Sequence, residues 1–371
     1  MRFVVGTIIL AVIGWIGYWF YASGLERDAI GQEIARLRDA GYEVGWEKSD
    51  FDGFPYRFDI HLTQPRLATP DGSWGWQGDE FYSVQLAYKP WHLILAWPGR
   101  HVFATPAGPF TIEGERIWGS LKFGRRMPPR LRSGRLEITH GRLALPSGDE
   151  IRAGKALVAL AHPVASQAAA AGPGAAGAKA EDAPRDALAE KIATAAADAD
   201  EDGYLRLVSL SLPEQLRARL ALPPDLPPTI ERIELDLSYG VAGEADRPLP
   251  IDPARPIAIR KAVIAWGDVR LEGRGVLRRN ETGRLAGRFE IVTADLPALL
   301  DHLEKAGWIE SRQAALIARL GEELARQQAA ARAQAGERSH AGERKALRLP
   351  LSFEGGRMRL LGLPLGPAPA L

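Results

Sequence analysis

Apolar and polar side chains alternate with a period of two along much of this chain, and no other feature restricts its fold as much. Tyr56, Phe58, Ile60 and Leu62 fall on one side of a segment whose other side carries Arg57, Asp59 and His61. Ile233, Leu235, Leu237 and Tyr239 alternate with Glu234, Asp236 and Ser238; Leu347, Leu349, Leu351 and Phe353 alternate with Arg348, Ser352 and Glu354. Successive side chains of a strand point to opposite faces, so each stretch predicts a strand with one apolar and one wet face. Strands of a parallel sheet, buried on both faces, read as apolar throughout; these half-wet strands predict antiparallel sheets. The expected fold class is mainly β with inserted helices (α+β), built on curled antiparallel sheet.

Turn residues punctuate the pattern. Asp52-Gly53 precedes Pro55, which lacks an N–H and suits the start or edge of a strand. Gly355-Gly356 supplies the positive φ angles of a two-residue hairpin turn. Three stretches break the alternation. Residues 25–41 read as a short helix ended by Gly41. Residues 165–203, opening "ASQAAAAGPGAAGAKAEDAP", carry too little apolar area to pack and predict a flexible linker, with a marginal helix in "RDALAEKIATAAADA". Residues 296–308 and 309–335 predict two helices, the second with a narrow apolar stripe of Ile317, Leu320 and Leu324 suited to weak docking. The expected organisation is an anchor at 1–22, a helix at 23–41, a β-rich region at 42–164, a linker at 165–203 and a second β-rich region at 204–371.

Residues 3–22, "FVVGTIILAVIGWIGYWFYA", hold no charge. As a helix they measure about 30 Å, the thickness of a bilayer's hydrocarbon core. Trp15, Tyr18, Trp19 and Tyr21 crowd the end of this run, as aromatic rings do at a membrane interface. The apolar run is too long for the core of a cleaved signal peptide, so an uncleaved single span is expected. The short tail before it suggests a signal anchor that leaves the bulk of the chain outside the cytoplasm, in the periplasm of an inner membrane.

Motifs that carry chemistry are scarce. The 371 residues include no Cys, which removes disulfides and thiolate ligands, and the net charge of +1 gives no field for nucleic acid. None of the seven His residues (61, 92, 101, 140, 162, 302 and 340) forms a helical i, i+4 metal pair, so no metal is expected. No nucleophile elbow or phosphate-cradling loop occurs, and no cofactor is implied. The carboxylate pairs Asp50/Asp52 and Asp198/Asp202 stand out little in a chain with 46 acids. Lys122, Arg125, Arg126, Arg130, Arg132 and Arg135 form a run of cations without an acid. That run suits anionic lipid headgroups or a partner's acidic patch, or serves simply as a solvated loop. Six Trp residues lie between 46 and 118, a number that fits either a groove wall or a core rich in large side chains.

"VGWEKSDFDGFPYRFDIHL", "IAWGDVRLEGRGVLRRNETGRLAG" and the terminal "LPLSFEGGRMRLLGLPLGPAPAL" together resemble an uncharacterised family of single-pass envelope proteins of alphaproteobacteria, domain of unknown function 2125. In layout the chain is more distantly similar to AsmA-like envelope proteins, an anchor followed by a long curled sheet with an apolar inner face. These motifs are structural and imply no catalytic residue. The expectation is a non-enzymatic, membrane-anchored periplasmic protein that binds lipid or another apolar ligand on a concave sheet face. Tyr56, Phe58, Ile60, Ile233, Leu235, Leu237, Phe289 and Phe353 are the candidate lining residues. The alternatives are an envelope scaffold that binds another protein and an unrecognised hydrolase.

Overall fold

A computed structural model describes residues 2–124, 129–162, 186–241, 252, 255–334 and 346–370. The chain is mainly β, its strands pair antiparallel, and it divides into two units, Met1–Ala156 and Leu157–Leu371.

The first unit opens with α1 (Arg2–Asp39), one continuous helix in which the expected anchor and the expected second helix run together without a break. Five long strands follow, each interrupted once. They are β1 (Glu43–Gly45) with β2 (Lys48–Asp52), β3 (Arg57–Thr63) with β4 (Arg66–Ala68), and β5 (Gly75–Gly78) with β6 (Glu80–Leu86). Next come β7 (Lys89–Ala96) with β8 (Arg100–Ala104), and β9 (Phe110–Glu113) with β10 (Arg116–Phe123). A sixth strand, β11 (Leu131–Ala144), pairs with β10 along one part and β9 along the other. On one side of the interruptions the ladder runs β2–β3–β6–β7–β10, and on the other β1–β4–β5–β8–β9.

The interruptions line up into a crease. Gln64 and His140 adopt the left-handed conformation there, and Pro65 beside Gln64 is fully buried. Backbone groups at the crease stay bonded across it: Gln64 N–H donates to Asp79 O at 2.8 Å, and Glu115 N–H to Thr139 O at 3.0 Å. A sheet bends at such irregular residues without orphaning its polar backbone.

β12 (Glu150–Ala161) spans the point of division. The second unit is a plain meander in which each strand pairs with the next. Its strands are β13 (Glu201–Ser211), β14 (Thr229–Tyr239), β15 (Ile257–Trp266), β16 (Val269–Arg279), β17 (Leu285–Thr293), β18 (Leu347–Glu354), β19 (Arg357–Leu360) and β20 (Leu363–Pro367). Gly355 and Gly356, both at positive φ, make the expected two-residue turn between β18 and β19.

Helices pack on both faces of this meander. One cross-strand row, Ser238–Ala258–Val276, lies under α2 (Ala187–Ala197), whose Ile192 and Ala195 bury against Ala258. Asp186 caps α2 by accepting from the N–H groups of Leu188 and Ala189, and it also pairs with Arg274 at 2.5 Å. The opposite face carries α4 (Leu296–Lys305) and α5 (Ser311–Gln334), inserted between β17 and β18. Leu296, Leu300 and Ile317 pack there with Leu349 and Leu360 of the sheet. A short α3 (Glu214–Arg219) lies in the β13–β14 connection.

The helix expected in 185–199 is present as α2, capped and packed rather than marginal, and β13 begins at Glu201; residues 163–185 lie outside the described residues. The weak docking expected of the second inserted helix fails, because Ile317 is fully buried. Counting isolated apolar positions understated α5, whose partners come from α4 and β18. Among the described residues no helix is long and apolar enough to cross a membrane. The side chains at 2–6, 8 and 9 lie outside that description, and they supply much of the apolar content of residues 3–22.

Candidate functional site

Two features stand out chemically, one in each unit. In the first unit, the aromatic end of the uncharged run docks onto two β-turns. Gly53 takes φ 109°, and a Cβ there would sit 2.6 Å from Arg57 O, so the tight turn into β3 demands glycine. The Phe54–Pro55 peptide that follows is cis. Three side chains of α1 then donate to turn carbonyls. Trp15 Nε1–H reaches Pro55 O at 2.9 Å, Trp19 Nε1–H reaches Arg57 O at 2.9 Å, and the Tyr18 hydroxyl reaches Ala87 O at 3.3 Å. Trp19 buries against Phe58 and Ala87, with the Phe54 ring centre 5.2 Å from its own and the two planes nearly perpendicular. Further along α1, the Arg27 guanidinium lies 4.2 Å from the Phe51 ring centre, and burial pushes the Glu26 carboxyl up from its usual range.

In the second unit, the face opposite α2 presents an apolar row, Leu237–Ile259–Gly275–Phe289–Leu351, flanked by Leu205–Leu235–Ala262–Gly273–Ile291. Ile291 and Leu351 pack under α4 and α5. Leu205, Leu235, Leu237, Ile259 and Phe289 are half-buried and stand outside the packed clusters. The Phe289 ring lies over the two glycines: a Cβ on Gly273 or Gly275 would meet it at 2.4 or 2.7 Å. Glycine in a strand interior here makes room for a ring.

The expected lining residues therefore divide. Leu235, Leu237 and Phe289 share the open stretch of one face in the second unit, while Ile233 packs near Trp266 and Val269 and Phe353 is buried. Tyr56, Phe58 and Ile60 belong to the first unit, where Tyr56 is exposed on the turn and Phe58 is covered by Trp19. The sequence reading missed Leu205 and Ile259. Cross-strand register puts them beside Leu235 and Leu237, and register is invisible in a single strand's pattern.

Of the cation run, Arg125 and Arg126 lie outside the described residues. Lys122 and Arg135 sit on β10 and β11, with Arg135 paired to Glu137 at 2.8 Å; Arg130 and Arg132 flank and begin β11. Of the Trp-rich segment, Trp76 and Trp97 pack along the crease, while Trp74 and Trp118 are exposed. The Trp76 ring stacks on His101 at 6.1 Å and lies edge-on to Phe81, itself 5.8 Å from Trp97. His101 is 2% exposed, and among the described residues neither ring nitrogen has a hydrogen-bond partner.

A polar cluster lies where α4 meets the β15–β16 turn. His302, nearly buried, places Nδ1 2.9 Å from Asp225 and Nε2 2.9 Å from Asp268. With a carboxylate at each ring nitrogen, His302 presents neither of them to a substrate. Asp225, Asp301 and His302 form a metal-type grouping, but Lys305 Nζ already bonds Asp225 at 2.9 Å and Asp301 at 2.6 Å. An ammonium thus fills the cation's place, and the cluster reads as a clamp between α4 and the loops before β14 and β16. The His302 hydrogen bond holds the Asp268 carboxyl below its usual range. At Asp225 burial pushes upward, but the Lys305 hydrogen bond and the neighbouring positive charges hold the carboxyl low.

The family described as "Uncharacterized protein conserved in bacteria (DUF2125)" matches residues 19–369. The chain belongs to this family. No curated protein and no solved structure matches it. The DUF2125 span opens on Trp19, the buried residue of the helix–turn junction, and takes in both β-turns and the whole apolar face of the second unit.

Proposed function

We propose that this DUF2125 protein is a membrane-anchored, non-enzymatic binder of an acyl chain. In this reading the N-terminal helix spans the inner membrane, the β units lie in the periplasm, and the ligand rests on the apolar face of the second unit. The observation that carries the proposal is the half-buried patch of Leu205, Leu235, Leu237, Ile259 and Phe289. It lies between strands whose neighbours on the same face are covered by α4 and α5. A sheet face of this kind needs a helix, a second layer or a ligand to keep water off it. Burial at about 25 cal/mol per Å² lets an acyl chain bind there without a polar contact. The uncharged run at 3–22 supports the anchor. The AsmA-like layout that the sequence resembles fits the same arrangement.

Native mass spectrometry of the full-length chain released from nanodiscs tests this. The wild type should retain one more acyl-chain ligand than Leu237→Asp at matched activation energy. Equal retention by both proteins would remove the ligand from this face. The scaffold reading draws on α5, where Leu316 and Leu320 stay exposed one turn apart. Capture of a single protein partner that is lost in Leu316→Glu, with equal lipid retention in Leu237→Asp, would favour it.

A further inference from the structure

The three aromatic donors of α1 do more than fasten a turn. At Trp15 the helix meets the turn at 53–56. Two β-turns lie at this level: 53–56, and the β6–β7 turn at 87–88, which is tied to the first by Ala87 N–H donating to Tyr56 O at 2.8 Å. Their outward side chains are Phe54, Tyr56 and Tyr88, 48%, 61% and 56% exposed.

A β-turn ordinarily avoids lipid because its carbonyls need water. Here Pro55, Arg57 and Ala87 each have a carbonyl bonded to a side chain of the helix, and Gly53 N–H is bonded to Asp52 at 2.7 Å. The exposed Lys89 and Arg57, the latter paired with Asp59 at 2.9 Å, flank the tips, where cations meet headgroup phosphates. We infer that both turns enter the membrane interface beside α1. Phe54, Tyr56 and Tyr88 then extend the helix's aromatic belt sideways, and the first unit is held at a fixed height and orientation on the bilayer. This rests on the anchored reading of the helix; it does not require the acyl-chain site.

The chain has no Cys, so single Leu10→Cys, Tyr56→Cys, Tyr88→Cys and Ser147→Cys variants of the full-length protein can each carry one environment-sensitive fluorophore. They are reconstituted in phosphatidylethanolamine–phosphatidylglycerol vesicles. All four positions are exposed, and none of the four side chains takes part in the junction's hydrogen bonds. Labels at 56 and 88 should blue-shift, brighten several-fold and be quenched by a nitroxide near the headgroup end of the acyl chain. The label at 10 should be quenched by a nitroxide near the chain terminus, and the label at 147 by neither. If 10 is quenched while 56 and 88 behave like 147, the tips ride in water and the inference is overturned with the anchor intact. If 10 also behaves like 147, the anchored reading itself fails and the inference goes with it.

Discussion

The two units solve the problem of a one-faced sheet in different ways. In the first, the aromatic end of α1 touches the sheet near two turns; the rest of that unit folds over a crease lined by Trp76, Phe81, Trp97 and His101. The second brings α2 to one face and α4 with α5 to the other. Bending a sheet buries side chains against its own neighbours and leaves the edges of the fold to aromatic contacts. Adding helices buries side chains completely, as at Ile317 and Leu349, but only where a helix reaches. Among the described residues, no helix packs on the patch around Leu237.

That contrast can be broken by substitution. Trp19→Ala removes a buried indole and its bond to Arg57 O. It should cost about 3–5 kcal/mol in the first unit, with faster amide exchange through residues 51–60 and unchanged exchange in β13–β18. Ile317→Ala should cost about 2–4 kcal/mol and free the amides of α5, leaving the first unit untouched. If either change loosened both units equally, they would not be separate packing solutions.

Acid should separate the units next. The carboxyls of Asp225 and Asp268 are held below their ordinary range when folded, so their contribution is present above the unfolded value near pH 4. It is lost as the pH falls through the lower folded values. Amide exchange around α4 should therefore rise below about pH 4, and His302→Gln should flatten that rise. The smallest effect is expected at the crease. His101→Leu replaces two unpartnered buried nitrogens with hydrocarbon and should be neutral or stabilise by up to about 1 kcal/mol. A loss above that would show that His101 has a polar partner.

Much of this fold is legible in the sequence because period-two alternation survives wherever one face is wet. β14, β17 and the β18–β19 hairpin follow directly from Ile233–Leu235–Leu237, Phe289–Ile291 and Gly355-Gly356. The crease is not legible. It depends on positive φ at Gln64 and His140, residue types that give no local sign of it. α2 was underread because an Ala-rich helix has little apolar area of its own, and it packs only because small side chains at Ala258 and Val276 let it approach. The candidate site was half visible. Leu235, Leu237 and Phe289 stand out in their own strands, but their grouping with Leu205 and Ile259 depends on cross-strand register. The docking of Trp15, Tyr18 and Trp19 onto turns 38 to 69 positions away has no local signal either.

The most direct test is to map where a phospholipid with a photoactivatable acyl chain labels the full-length protein in vesicles. The account predicts two separate groups of labelled residues. One lies on α1 with Phe54, Tyr56 and Tyr88, and the other on Leu205, Leu235, Leu237, Ile259 and Phe289. Labelling confined to α1, or falling on the α2-covered side around Ser238 and Ala258, would contradict it.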